Sequence, residues 1–485
     1  MQDAPIVRSG LIIAVLAAAG IVVSLAQTLV VPIIGILPQL FDTTAANASW
    51  IITVTLLTAA ISNPVAGRLA DMYGKKRMML IALIPFIVGS VVCALAGDVT
   101  TMIIGRGLQG LASGLVPLGI ALLHDVLPKE KVGNAIALMS SSMGIGGALG
   151  LPIAAGVSQF ASWRVLFWVT ALAALLIAVA IFIAVPVRNM MRNERKFDYV
   201  GSVGLAIGLT ALLLAISQGS EWGWTSVPTL SCFVIAVVVL LLWGKYELGR
   251  RSPLVNLRTT VTPVVLLTNV ASILIGFAMY AMNLIAPQVM QLPAEIGYGL
   301  SQTMIQMGLW LAPMGLGMMA VSKIGATISR RHGPKTTLIT ASIVISIGYG
   351  TAALVLATIG AREPGVADGA TIMWTLILMA IGTTITGCGI GLAFGAMPAL
   401  IMGAVPTGDK AAANGFNSLM RSLGATSSAA IIGVVLATMA VPVGQHTIPT
   451  HAGFLVSLMI GCLAAIVAAF ITAAIPGKSK GSPAH

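Results

Sequence analysis

The chain has 485 residues, 58% of them apolar and only 8% charged, with a mean hydropathy of +1.01. A soluble domain carries about 25% charged residues, so a water-soluble globule of this size is excluded and a helical membrane protein is the class that remains. The net charge of +12 does not point to nucleic acid, because the charges fall in short clusters between long uncharged stretches rather than along one basic stripe.

A bilayer-crossing helix needs about 20 mostly apolar residues. Such runs predict spans at 10–38, 48–71, 78–97, 100–124, 133–157, 163–187, 199–218, 228–248, 263–288, 299–325, 336–359, 370–394, 410–438 and 453–475. The first run is longer than the apolar core of a cleavable leader and lacks a small-residue cleavage site, so it reads as a span. With the N-terminus inside, 22 of the 26 basic residues fall on the cytoplasmic side, including Lys75, Lys76, Arg77, Arg188, Arg192, Arg195, Lys196, Arg250, Arg251, Arg330 and Arg331. Arg164 and Arg362 lie outside, and Arg106 and Arg421 lie within spans. This asymmetry sets the orientation and puts both termini in the cytoplasm.

After span 2 the chain reads GRLADMYGKKR, residues 67–77. Gly67 permits close helix packing, Gly74 a tight turn, and Asp71 is placed to meet the positive N-terminal end of a neighbouring helix. Span 4 carries Arg106 and Gln109 nearly one turn apart, then Gly110 and Gly114 in a GxxxG step. A guanidinium inside the hydrocarbon costs about 2.5–3.5 kcal/mol on insertion scales, so Arg106 is expected to face the protein interior or water; the alternative is snorkelling at the outer interface. In span 5, Gly146, Gly150 and Ala154 recur every fourth residue and make a smooth face expected to pack against the other half, with Pro152 as a kink. Around span 10, Glu295 stands at the outer entrance and Trp310 on the helix, with Met304, Met307, Met314 and Met318 as an adaptable wall or plain packing. In span 13, Asn417 and Arg421 share a face.

The segment ATISRRHGPK after span 10 repeats the Gly and Lys placement seen after span 2, and span 13 repeats span 5 more loosely. Two matched halves separated by spans 7 and 8 follow, an arrangement typical of transporters with a midplane site. The expected division is 1–187 for a six-helix bundle, 188–258 for a linker with two additional spans, and 259–485 for a second six-helix bundle and tail.

The loop after span 2, the IGRGLQGLASG segment of span 4 and the glycine-rich span 5 resemble those of the major facilitator superfamily, specifically its fourteen-span drug:proton antiporter branch. FDYVGSVGL at 197–205 and RSPLVNLR at 251–258 are similar to the segments flanking that branch's two extra spans. The resemblance implies an all-α polytopic membrane protein of the major facilitator fold, with two six-helix bundles plus two linker helices. It implies a bacterial cytoplasmic-membrane exporter of amphipathic small molecules, acting as a monomer, with protons as coupling ion. It also implies that Gly67, Asp71, Gly74, Lys75, Lys76 and Arg77 form a conformational latch between the halves. Leu151 separates Gly150 from Pro152, where the branch has Gly and Pro adjacent.

The acid that proton-coupled members carry in span 1 is missing: the chain reads SLAQTLVVP at 24–32, with Gln27 beside Ala26. All 14 acidic residues lie in loops, tails or terminal turns, so coupling is expected to use Asp42, Asp71, Asp125 or Glu295. Gln27, Asn63, Gln109, Asn269, Asn283, Gln288 and Asn417 are costly against lipid and are expected to turn inward. With Arg106 and Arg421 in the spans and no interior acid, the cavity is expected to be positive and to favour neutral or anionic amphiphiles over dications. The four cysteines sit apart in apolar runs and the histidines mostly in loops, so neither a metal, a cofactor nor an enzyme site is expected. A transporter of a lipid-like or other endogenous solute without proton antiport is the alternative, and a receptor or scaffold a further one.

Overall fold

A computed structural model describes residues 7–30, 33, 37–43, 45–186, 197–250, 252–358, 369–443 and 446–476. Arg188, Arg192, Arg195, Lys196, Arg251 and Arg362 lie outside the described residues. Fourteen helices are long and apolar enough to cross a membrane: Ser9–Thr28, Trp50–Tyr73, Lys75–Leu95, Val99–Val126, Glu130–Ala154, Arg164–Ala184, Tyr199–Gly219, Val227–Leu248, Pro263–Gln291, Met304–His332, Pro334–Thr358, Gly369–Ala404, Thr407–Thr438 and His451–Ala473. They are spans 1 to 14 below.

Two boundaries differ from the sequence expectation. Span 1 ends at Thr28 rather than near residue 38, and a separate short helix, Leu37–Leu40, follows it. Span 12 runs on to Ala404, well past residue 394, because no charge or turn residue stops it before Pro406; Pro398 is absorbed inside the helix. Two spans are interrupted. Span 4 contains a 3-10 turn at Leu111–Gly114, and span 10 breaks at Val321 between Met304–Ala320 and Ser322–His332. Outside the helices, β1 (Ala440–Val443) and β2 (His446–Pro449) form an antiparallel hairpin between spans 13 and 14. No sequence pattern noted above marked it.

Large apolar side chains stand exposed along the outer faces, among them Phe182, Ile183, Val227, Leu241 and Phe470. In water such a surface would aggregate; around a helix bundle it is the lipid-facing coat. Inside, one buried cluster gathers spans 9 to 14, with residues from Ala271 to Ile475. A second joins spans 1 to 6 and takes in Met402 and Ala411 of spans 12 and 13. A third lies across both halves: Leu205, Leu209 and Leu213 of span 7 pack with Ala60 of span 2, Leu419 of span 13 and Trp243 of span 8. The linker helices therefore brace the seam between spans 2 and 13.

The internal repeat has a backbone counterpart. Gly74 and Gly333 both adopt positive φ, 96° and 87°, at the turn between two spans, a conformation that a side chain rarely tolerates. Two residues after the glycine in each half, Lys76 and Lys335 do the same job. Lys76 Nζ donates to the carbonyls of Phe182 and Val185 at the end of span 6, and Lys335 Nζ to that of Ile475 after span 14. Each lysine satisfies carbonyls that a helix C-terminus leaves orphaned.

Candidate functional site

The two halves are joined at the cytoplasmic end by polar contacts centred on Asp71. Its Oδ1 accepts from the Ala411 N–H at 3.3 Å and its Oδ2 from the Ala412 N–H at 2.9 Å. These are among the first N–H groups of the helix Lys410–Thr438, which lack intrahelical partners. A carboxylate there is favoured by both hydrogen bonding and the helix dipole. Gly67 makes the approach possible: a Cβ on it would lie 2.9 Å from the Ala412 Cα. Gly415 repeats this one turn further in, against the backbone of Asn63 and Pro64.

Further contacts surround it. Arg68 Nη1 pairs with Asp409 Oδ1 at 3.2 Å, and Asn256 Nδ2 donates to Asp409 Oδ2 at 3.3 Å. Asn414 Nδ2 donates to the Pro117 carbonyl of span 4 at 3.0 Å, and Arg330 Nη1 to Asn134 Oδ1 at 3.0 Å. Among the described residues, the hydrogen bonds that join the halves gather at this end. These contacts hold the cytoplasmic side shut.

The basic trio is arranged differently from the expected latch. Lys75 is buried and pairs with Asp125 of span 4, Lys76 binds span 6, and Arg77 is exposed. The contacts of Lys75 and Lys76 stay within the first half. Arg68, passed over in the sequence as one more cytoplasmic base, crosses to the second half instead. Its neighbour Asp71 in the same loop segment gave the signal: on a helix, residues 68 and 71 lie on one face.

Span 5 also departs from expectation. A Cβ on Gly146 would meet Ser24 Cβ at 2.7 Å and Leu25 N at 2.9 Å, Gly150 abuts Thr28, and Ala154 is fully buried with Leu29 and Val30. That stripe packs on span 1 of its own half, reinforced by the Ser24 Oγ bond to the Met143 carbonyl at 2.6 Å. The face toward the other half is carried by Gly144, which abuts Met318, and Pro152, whose ring nitrogen would lie 2.9 Å from a Cβ on Gly308. Two residues of offset turn a helix by about 200°, which is why a correct four-residue stripe was assigned to the wrong neighbour.

Two polar clusters sit inside the halves. Arg106 is 1% exposed; its Nη1 donates to the Ala26 carbonyl at 2.9 Å and to Gln109 Oε1 at 2.7 Å, and Gln109 Nε2 donates on to Ser90 at 2.8 Å. Ala26 is in the last turn of the helix Val7–Thr28, so the guanidinium caps its C-terminal carbonyls and needs no acid. In span 13, Arg421 donates to Asn417 Oδ1 at 2.8 Å and Ser418 Oγ at 2.7 Å, and lies 5.0 Å from the centroid of the Phe394 ring. Asn417 Nδ2 continues to Asn269 and Ser272 of span 9 at 2.9 and 2.7 Å. Both arginines are enclosed by protein, and among the described residues neither opens onto a cavity.

The remaining candidates are scattered. Asn63 Oδ1 accepts from Ser113 at 2.9 Å, Gln27 is half-buried, and Trp310 Nε1 donates to Gln302 at 3.2 Å. Asn283 and Gln288 are exposed, as is Glu295 in the short turn Ala294–Ile296. Met307, Met314 and Met318 belong to the buried core of the second half. Among the described residues, no group of three or more metal-ligating side chains occurs.

Comparison with known proteins adds to this geometry. The Major Facilitator Superfamily profile matches residues 16–429. Multidrug resistance protein 3 of Bacillus subtilis is 25% identical over 391 residues, 80% of this chain and 72% of the relative. The putative multidrug resistance protein MdtD of Yersinia pestis is 27% identical over 420 residues, covering 86% of this chain and 85% of the relative. Among solved structures, the human organic anion transporter MFSD10 and the proton:xylose symporter XylE each align with a TM-score of 0.63 at 14% identity. They cover 97% and 94% of this chain, and 100% and 94% of their own.

Proposed function

We propose, from the premise that this chain belongs to the Major Facilitator Superfamily, that it exports amphipathic small molecules across the bacterial cytoplasmic membrane, driven by protons. Membership makes it a multi-pass transporter rather than an enzyme. The observation that carries the direction of the reading is the shut cytoplasmic gate, in which Asp71 sits on the first N–H groups of span 13. Rocking of the halves about the midplane would break this contact, open the interior to the cytoplasm and then close it again behind the solute. The linker helices of span 7 ride on the moving seam.

The interior chemistry bears on substrate class. Among the described residues, the only carboxylates buried to the same degree as Arg106 and Arg421 are Asp198 and Glu247 at the linker, away from both arginine clusters. An unpaired dication entering that interior would find no counter-charge, and its desolvation would go uncompensated. Neutral or anionic amphiphiles meet amide, hydroxyl, guanidinium and methionine surface. Transport of an endogenous solute without proton antiport is the second reading, favoured by the lack of an acid in span 1.

Proteoliposomes loaded with a panel of matched neutral, anionic, monocationic and dicationic compounds, with an imposed pH gradient, test the proposal. Gradient-dependent movement of neutral or anionic members, with dications moved least, is the expected result. Gradient-independent counterflow would favour the second reading, and selective movement of dications would contradict the substrate class.

A further inference from the structure

Asp198 and Glu247 take no part in the gate described above, yet both are buried, at 8% and 2% exposure. Asp198 caps span 7: its Oδ1 accepts from the Gly201 N–H at 2.8 Å and from the Tyr246 hydroxyl at 3.0 Å. Its Oδ2 is buried without a hydrogen bond, with Arg250 Nε 3.9 Å away. Glu247 lies in the last turn of span 8, and neither of its carboxyl oxygens has a hydrogen-bond partner. The two side chains come together beside Gly201, where a Cβ would lie 2.3 Å from Glu247 Oε1 and 2.9 Å from Asp198 Oδ2.

The charged and titratable groups facing this point are few. Asp198 comes from the start of span 7, Tyr246 and Arg250 from the end of span 8 and the turn after it, and Arg68 from span 2. The backbone N–H groups of Leu254 and Val255 also approach Glu247. Arg68 is itself 3% exposed. One arm of its guanidinium holds Asp409 of the second half, and the other, Nη2, is buried without a partner. Buried unpaired groups are rare in folded proteins and call for a cause. Here four such atoms, on an arginine and two carboxylates, converge beside the Arg68–Asp409 ion pair, the one that bridges the halves among the described residues.

We propose that Asp198 and Glu247 form a proton-binding site of the linker helices, occupied while the cytoplasmic gate is shut and emptied as it opens. Two carboxylates meeting out of water cannot both be ionised, and one holds a proton. With the gate shut, Asp409 engages Arg68 and Glu247 stays neutral. Opening carries Asp409 away with span 13, and the freed guanidinium turns to Glu247. The carboxyl O–H bond then breaks, its electron pair stays on the carboxylate, and the proton passes to cytoplasmic water. One Arg68 ion pair replaces the other, and the charge balances. The inference rests on the exporter reading only for the statement that this gate opens during transport.

The sign follows from proton count. The shut state binds one proton more, so rising pH favours opening, by at most about tenfold per pH unit for a single proton. The test uses the full chain in lipid nanodiscs, cysteine-free, with spin labels on Lys131→Cys and His332→Cys, both exposed at the cytoplasmic end. In the otherwise native protein the long-distance population should grow as the pH is raised. Glu247→Gln, a mimic of the protonated side chain, should stay at the short distance throughout and lose the infrared band of a protonated carboxyl. Should that variant fail to assemble, Glu247→Asp keeps the carboxyl but shortens it, and the titration midpoint should move. A pH-independent distance in the native protein, native-like titration in Glu247→Gln, or an unmoved midpoint in Glu247→Asp would overturn the site. Gradient-driven transport is measured in parallel. Its absence from the native protein with the gate titration intact would sink the exporter reading alone, whereas its persistence with the titration gone would sink this site alone.

Discussion

Asp71→Asn should lower transport by roughly tenfold or more while leaving expression and membrane insertion near normal. The native carboxylate accepts two N–H groups at the start of span 13. Hydrogen bonds to a charged group contribute about 1.5–3 kcal/mol each, and a charge at a helix N-terminus typically about 0.3–1 kcal/mol more. Asparagine removes the charge and turns an amide NH2 toward a backbone donor, so at least one of the two bonds is lost. A change of that size moves a two-state gate by about one to two orders of magnitude. The variant should spend its time with the cytoplasmic side open. The packing of each half is untouched, because the contact lies at the seam rather than in either core. Efflux rates normalised to the amount of protein in the membrane check this, and native rates in the variant would remove Asp71 from the gate.

The second large effect belongs to Arg106, and it should appear in stability as well as transport. Arg106→Met keeps length and apolar volume but deletes the cap on the Ala26 carbonyl and the donor to Gln109. Each buried polar group left unsatisfied costs about 1–3 kcal/mol. The outer end of span 1 should loosen, the melting temperature of purified protein should fall by several degrees, and transport should be largely lost. Arg106→Lys should rescue only in part, since an ammonium has no planar fork to reach the carbonyl and the amide together. Thermal melting in detergent alongside transport assays reads both arms. A variant that melts like the native protein and still transports would show that the guanidinium is dispensable.

How much of this was legible in the sequence depends on whether a contact is local. Fourteen spans, their orientation and the turn glycines Gly74 and Gly333 follow from apolar run length, basic-residue placement and spacing, and all are properties of a short window. Asp71 was singled out because a lone acid in a basic loop is unexplained by the positive-inside pattern. Its partners Ala411 and Ala412 were not legible, since their backbone N–H groups carry no side-chain mark. Span 5 shows the same divide. The small-residue stripe at Gly146, Gly150 and Ala154 was plain, but a smooth face does not say which helix will use it, and span 1 took it instead of the second half. The burial of Glu247 was hidden for a related reason. It stands in the last turn of a span, where a carboxylate is ordinarily in water, and only the return of the chain through Leu254 and Val255 covers it.

The gate itself is the point on which the account stands, and cross-linking it shut is the most direct test. Asn134→Cys and Arg330→Cys, at positions whose native side chains bond at 3.0 Å across the halves, would be joined by a short thiol-cleavable bis-reactive linker in a cysteine-free chain reconstituted into proteoliposomes. Cross-linking should stop net solute movement and cleaving the linker should restore it, while either single cysteine treated alike transports throughout. Undiminished transport through a fully cross-linked pair would contradict this, because the solute would then be crossing without the halves parting at the cytoplasmic end.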